Sequence, residues 1–122
     1  MIQTPNGIKA LVDYPYSKGL KFSLYSDGGN YICQLGPGCY RYKEIDGKTY
    51  AERGVDYLKY DNCLNGELSS LIRYARMRNG LMKQNKSIFY SIYSWGEEDI
   101  PTWGKYLGNS LLKILWIIGN QC

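Results

Sequence analysis

Histidine is absent from this chain of 122 residues. That absence excludes a Ser–His or Cys–His nucleophile pair and any His-ligated metal within the chain, and it leaves acid–base work to carboxylates, Lys, Tyr or Cys. Long apolar runs are also missing. The most apolar stretch, LLKILWIIG (111–119), is far short of the ~20 residues a bilayer span requires; it reads as a buried strand or a misplaced tail. The first residues, MIQTPNGIKA, have no basic segment followed by an apolar core, so no signal peptide is visible. No Gly-rich phosphate loop follows a strand, and no nucleic-acid-binding motif accompanies the basic residues. A nucleotide, a metal or cofactor, a nucleic acid and a membrane are therefore not expected as partners.

The composition is that of a globular domain, with 44% apolar residues, 13 tyrosines and a mild net charge of +4. The one basic concentration, RYARMRNGLMK (73–83), has the spacing of a solvated helix face. Four cysteines occur at positions 33, 39, 63 and 122 without the paired short spacing of a zinc site, which favours disulfides or free thiols.

Hydrophobic periodicity predicts alternating elements. A helix is expected over 6–14, cut short by Pro15, then a strand over 20–27 and a Gly-rich loop over 28–41. A helix over 42–53 ends at Gly54 and leads to a strand over 55–62. The longest helix spans 66–85 with Leu68, Leu71, Ile72, Ala75 and Leu81 on its apolar face. A strand over 87–95 follows, and 100–110 holds a short helix opened by Pro101. Strands beginning near Lys21, Val55 and Ile88 give a unit of roughly 33 residues, close to the ~31 of a (β/α)8 barrel of about 250 residues. Alternation of this kind favours a parallel sheet with helical crossovers. The fold class is α/β, either a small open sheet or three to four units of a barrel.

The predicted strands end in polar and aromatic groups: Tyr25 and Asp27, Lys59 and Asp61, Tyr93 and Trp95. In a parallel barrel such ends form the active face. Residues i and i+2 of a strand share a face, ~6.6 Å apart, so Lys59 and Asp61 point the same way. An ammonium there keeps a carboxylate ionised, suited to attack a carbon or to stabilise a cation. By spacing alone a structural ion pair explains the two residues more readily. Trp95 and Trp103 have the flat faces that stack on sugars, but residue type alone favours ordinary burial. Asp27, before Gly-Gly, is also a common turn former.

The segments GLKFSLYSDGG, ERGVDYLKYDNC and TWGKYLGNS make the pattern specific. The sequence resembles the alpha-galactosidase (melibiase) family, which includes alpha-N-acetylgalactosaminidases, and it is most similar to the plant-type members. Residues 4–64 follow the family pattern with few breaks, and 88–110 more loosely. The resemblance implies a partial (β/α)8 catalytic barrel over residues 1–110 and retaining hydrolysis of terminal alpha-galactosyl groups by two carboxyl groups. It implies that Asp61 is the nucleophile, that Lys59 binds sugar hydroxyls, that Tyr25, Cys33 and Trp95 belong to the galactose-binding pocket, and that Cys33 and Cys63 form a disulfide beside it. An alpha-galactoside is the implied partner. The family is typically secreted, to the cell wall or vacuole.

The departures carry equal weight. No residue matches the family's acid/base, and Glu97, Glu98 and Asp99 lie on a loop that does not correspond to it. Tyr93-Ser94-Trp95 stands where the family has Cys-Glu-Trp or a close variant, so a sugar contact is altered and the pocket crowded. Cys39 replaces a small Ser in the Gly-Pro-Gly turn. Residues 111–122 form an apolar tail unlike the family. The chain is therefore expected to show little or no turnover, with a non-catalytic galactose-binding or interaction module derived from the family as the alternative. Sheet edges and an inner face formed by Phe22, Leu24, Tyr57 and Ile92 or their neighbours are expected to lie open and to promote self-association or aggregation.

Overall fold

The computed structural model describes residues 7–39 and 41–111. They form α1 (Gly7–Ser17), β1 (Ser23–Asp27), α2 (Lys43–Glu52), β2 (Tyr57–Asp61), α3 (Ser70–Met82), β3 (Phe89–Ile92), α4 (Ile100–Trp103), a 3-10 turn (Gly104–Tyr106) and β4 (Ser110–Leu111). The sheet order is β1-β2-β3-β4, and every neighbouring pair is parallel. Each strand is followed by a helical crossover to the next, the repeating unit of a (β/α) barrel. The described residues form an incomplete parallel sheet of such units, an open arc of a (β/α) barrel, one of the two arrangements that the periodicity allows.

Register decides which side chains meet. Leu24 pairs with Leu58, and Leu58 with Tyr90, so these residues line the helix-covered face. Tyr60 and Ile92 join them, both fully buried. Tyr60 meets Tyr74 of α3 edge-on, with ring centres 5.3 Å apart. The opposite face carries Tyr25, Lys59 and Ser91 in one row and Ser23, Tyr57 and Phe89 in the row below. This corrects the expected open face: Leu24 and Ile92 face the helices, and Phe22 packs against the same core. Of the four residues expected there, only Tyr57 lies on the open side, where it stacks on Phe89 at 5.3 Å with the rings nearly parallel.

Two helices also depart from expectation. Helix α1 continues past Pro15 to Ser17. A proline this close to the end forfeits one amide bond, to the carbonyl of exposed Leu11, which water satisfies at little cost. Helix α3 begins at Ser70, because Gly66 is left-handed at φ +67° and Ser69 caps the helix by accepting from the Ile72 amide. Its buried face is Arg73, Tyr74, Met77 and Leu81, while Leu71 and Ile72 are 41% and 42% exposed. Two apolar stripes compete on this helix, and the tertiary contacts choose. The Tyr74 hydroxyl donates to the Tyr93 carbonyl at 2.7 Å. Gly80 meets Gly47 of α2 so closely that a Cβ on Gly80 would lie 2.7 Å from the Lys43 carbonyl oxygen.

Candidate functional site

Parallel register sets Asp27 beside Asp61 and Tyr25 beside Lys59 at the C-terminal ends of β1 and β2. Asp61 is 3% exposed. Its Oδ1 accepts from the Asn62 amide at 2.9 Å. Its Oδ2 lies 3.4 Å from the Tyr25 hydroxyl, which donates to it, and 3.7 Å from Lys59 Nζ. Lys59 sits over two aromatic faces, 5.2 Å from the Tyr25 ring centre and 5.8 Å from that of Tyr93. The lysine is thus aimed by a cation–π cradle and still reaches solvent. A buried carboxylate that keeps an ammonium and a phenol as partners is held in one orientation beside a lysine that solvent can reach.

Asp27 is fully buried and has a different role. Its Oδ1 accepts from the Gly29 amide at 2.7 Å, the expected turn, and its Oδ2 accepts from the Cys63 amide at 2.7 Å. The second bond ties the loop after β1 to the loop after β2. These loops touch so closely that a Cβ on Gly29 would overlap the backbone of Cys63 and Leu64. The Cys33–Cys63 disulfide fastens the same contact, with Cα atoms 5.1 Å apart. Burial pushes the Asp27 carboxyl up to about 6; its two amide partners oppose the shift, Asp61 adds to it and Arg73 opposes it. Burial also raises the Tyr25 phenol, with the Asp61 and Asp27 carboxylates adding to it, so Tyr25 stays a hydrogen-bond donor.

Several residues behind the site escaped the sequence reading. Arg73, read as part of a solvated basic face, is fully buried. Its Nε donates to the Leu68 carbonyl at 2.6 Å and one guanidinium nitrogen donates to Asn62 Oδ1 at 2.5 Å. Asn62 Nδ2 in turn donates to Glu97 at 3.2 Å, and Glu98 accepts from the amide and hydroxyl of Ser70 at 2.8 and 2.9 Å. Glu98 therefore holds the loop after β3 against the start of α3, and Glu97 holds it against Asn62 at the end of β2. Nothing in a single Arg on a helix separates a buried from an exposed guanidinium. The only local hint is Asn62 directly after the candidate nucleophile.

Tyr93 is buried and packs against Trp95 at 5.0 Å. Trp95 is half exposed at the rim, with a left-handed backbone at φ +59°. Trp103 instead packs into the core against Tyr74. Cys39 is a free, buried thiol that shares hydrogen bonds with Ser26 and Tyr50 at 3.0 and 3.2 Å, and burial pushes it up to about 12. A groove of about 570 Å³ at the other end of the strands, lined by Lys86, Ser87 and Asn109, contains none of these residues. Among the described residues no helix is long and apolar enough to cross a membrane.

Residues 2–105 match the family profile described as "Alpha galactosidase A" (melibiase). The chain belongs to the alpha-galactosidase family. It is 52% identical over 107 residues to an alpha-galactosidase of Coffea arabica, covering 87% of this chain and 28% of that protein. It is 50% identical over 107 residues to alpha-galactosidase 2 of Arabidopsis thaliana, covering 87% and 27%. Among solved structures it resembles alpha-galactosidase I of Mortierella vinacea, with a TM-score of 0.82 and 40% identity over 88% of this chain and 28% of that one. It also resembles an alpha-galactosidase of Saccharomyces cerevisiae, with a TM-score of 0.81 and 36% identity over 88% and 25%. A Geobacillus stearothermophilus arabinopyranosidase, 21% identical with a TM-score of 0.68, shares the fold. The chain thus spans about a quarter of the length of its relatives, over the stretch that carries Tyr25, Lys59, Asp61 and the disulfide.

Proposed function

We propose that this chain carries the nucleophile side of an alpha-galactoside-hydrolysing site, with Asp61 as the nucleophile. The observation that carries the reading is the Tyr25–Lys59–Asp61 cluster at the C-terminal ends of parallel strands. Lys59 donates to sugar hydroxyls, Tyr25 orients Asp61, Trp95 offers a ring to a sugar face, and the Cys33–Cys63 bridge holds the rim. Retaining hydrolysis needs a second carboxyl group ~5–5.5 Å from the first that protonates the leaving oxygen. Asp27 is near enough but unsuited. It is fully buried, and both oxygens already accept amide protons. The barrel portion is residues 1–110. The non-family tail, 111–122, begins at Leu111, which still pairs with Ile92; the remainder of the tail lies outside the described residues.

In this reading the chain binds a galactose-class sugar and turns it over poorly, because loss of a general acid alone costs about 10²–10⁴-fold. Hydrolysis of a nitrophenyl alpha-galactoside, set beside a galactose titration, tests it. We expect saturable binding that Asp61→Asn and Lys59→Met weaken, with turnover more than ~100-fold below an intact family member. No binding, or binding indifferent to both substitutions, refutes the site. Robust turnover refutes the missing acid. The open row of Tyr57 and Phe89, the latter 42% exposed, supports association between copies; size-exclusion chromatography checks this, and a soluble monomer at all concentrations refutes it.

A further inference from the structure

Asp27, Asp61, Cys33 and Cys63 bring two carboxylates and two sulfurs to one place, and one donor atom from each lies within 4.8 Å of the others. We propose that reduction of the Cys33–Cys63 disulfide converts this corner into a four-ligand site for a thiophilic divalent cation of the zinc or cadmium class.

The donor set and its spacing support this class. Tetrahedral zinc takes thiolates at ~2.3 Å and carboxylate oxygens at ~2.0–2.2 Å, which places ligand atoms within ~4 Å of one another. Donors already gathered within 4.8 Å need only side-chain adjustment to reach that geometry. Two thiolates favour a soft or borderline ion over magnesium or calcium, which prefer oxygen alone. Four negative donors exceed the charge of the dication by two, and Lys59 at 3.7 Å from Asp61, with the positive Arg73 acting on Asp27, offsets that excess.

The carboxylates are aimed by their surroundings. Asp27 is fixed by the amides of Gly29 and Cys63, and Asp61 by the amide of Asn62. An ionised carboxylate offers about four acceptor positions, so each retains one for a metal. Backbone bonds of this kind hold ligands in place without competing for the metal-facing lone pair. The two backbones are held by parallel register, so loss of the disulfide does not release them.

A dithiol reductant gives two electrons and two protons to the Sγ–Sγ bond, leaves as its own cyclic disulfide, and yields two thiols. Binding of the cation then displaces those two protons. The metal occupies Asp61, so a galactose-class ligand is excluded while it is bound. That consequence rests on the sugar-site reading above; the metal site itself does not.

The test uses the full chain carrying Cys39→Ser and Cys122→Ser, so that Cys33 and Cys63 are its only thiols. Cadmium is titrated into oxidised and phosphine-reduced protein. The readouts are the ultraviolet thiolate-to-cadmium charge-transfer band and calorimetric affinity. One equivalent is expected to bind the reduced form, and none the oxidised form. Asp61→Asn and Asp27→Asn are each expected to weaken binding by more than ~10-fold, and Cys33→Ser to abolish the two-thiolate band. Circular dichroism of each variant selects those that fold, and Asp61→Asn alone suffices if Asp27→Asn does not. No band in the reduced protein overturns the proposal. So does an affinity unchanged in Asp61→Asn, which would mark simple dithiol chelation. Sugar binding by the oxidised protein is scored separately, so either reading can fail alone.

Discussion

The buried carboxyl of Asp27 should make the protein lose stability as pH rises from about 4 to about 6. Its folded value of about 6 lies above the ordinary unfolded value of ~3.9. Between those values the folded state binds more protons than the unfolded chain, so the favourable contribution is complete below pH ~4 and gone above pH ~6. At ~1.4 kcal/mol per unit the shift caps the loss at ~3 kcal/mol, and water reaching the strand ends screens it to less. Burial leads the causes, and Asp61 is a lesser contributor. Asp61→Asn should therefore lower the Asp27 value by less than ~1 unit and leave it clearly above 3.9. Side-chain carboxyl NMR titration of both proteins reads the values directly, and urea melts from pH 4 to 7 read the stability. An Asp27 that titrates near 3.9 in the unaltered protein refutes the burial argument. A return to ~3.9 in Asp61→Asn would make the neighbouring charge, not desolvation, the cause.

Asp56 should act in the opposite direction. Burial works against its ionised form, but the Phe22 amide, the Tyr16 hydroxyl and Lys86 hold it down at about 2. Its stabilisation is present above pH ~4 and lost as pH falls toward 2; a melt series in Tyr16→Phe and Lys86→Met should show a shallower acid limb. Gly80→Ala gains ~1 kcal/mol of helix propensity but drives a Cβ to 2.7 Å from the Lys43 carbonyl oxygen. Backbone cannot yield as a side chain does, and overpacking costs ~1–3 kcal/mol. Net destabilisation is expected in denaturant, and a variant more stable than the parent would contradict the α2–α3 contact. Removing the Cys33–Cys63 bridge, with its separation of 30 residues, should cost ~3.7 kcal/mol by chain entropy. A loss under ~1 kcal/mol in Cys33→Ser would show that the bridge constrains little.

The sequence by itself was enough for the alternation of strand and helix, because a period of two and a period of 3.6 are local properties of neighbouring residues. It also marked the site. YLKYDNC places Lys59 and Asp61 on one strand face whatever the rest of the chain does, and the resemblance supplied the Cys33–Cys63 pairing that is present in the fold. Where two local solutions were nearly equal, the tertiary structure decided. The segment around helix α3 offers the predicted Leu68–Leu71–Ile72–Ala75 stripe and a Tyr74–Met77 stripe, with Leu81, predicted on the first, buried beside the second. The second wins because Tyr74 finds the end of β3 and Gly80 lets α2 approach. The faces of the sheet depend on which strand ends lie side by side, so Leu24 and Ile92 could be assigned only from register. Arg73 belongs to the same class. Burying a guanidinium depends on partners for its donors, and Asn62 reaches one nitrogen of Arg73 only after β2 and α3 have packed. The pairing of Asp27 with Asp61, 34 residues apart, is likewise a product of parallel register. Strand ends are written in the sequence one at a time; which carboxylate stands beside which is settled by the sheet.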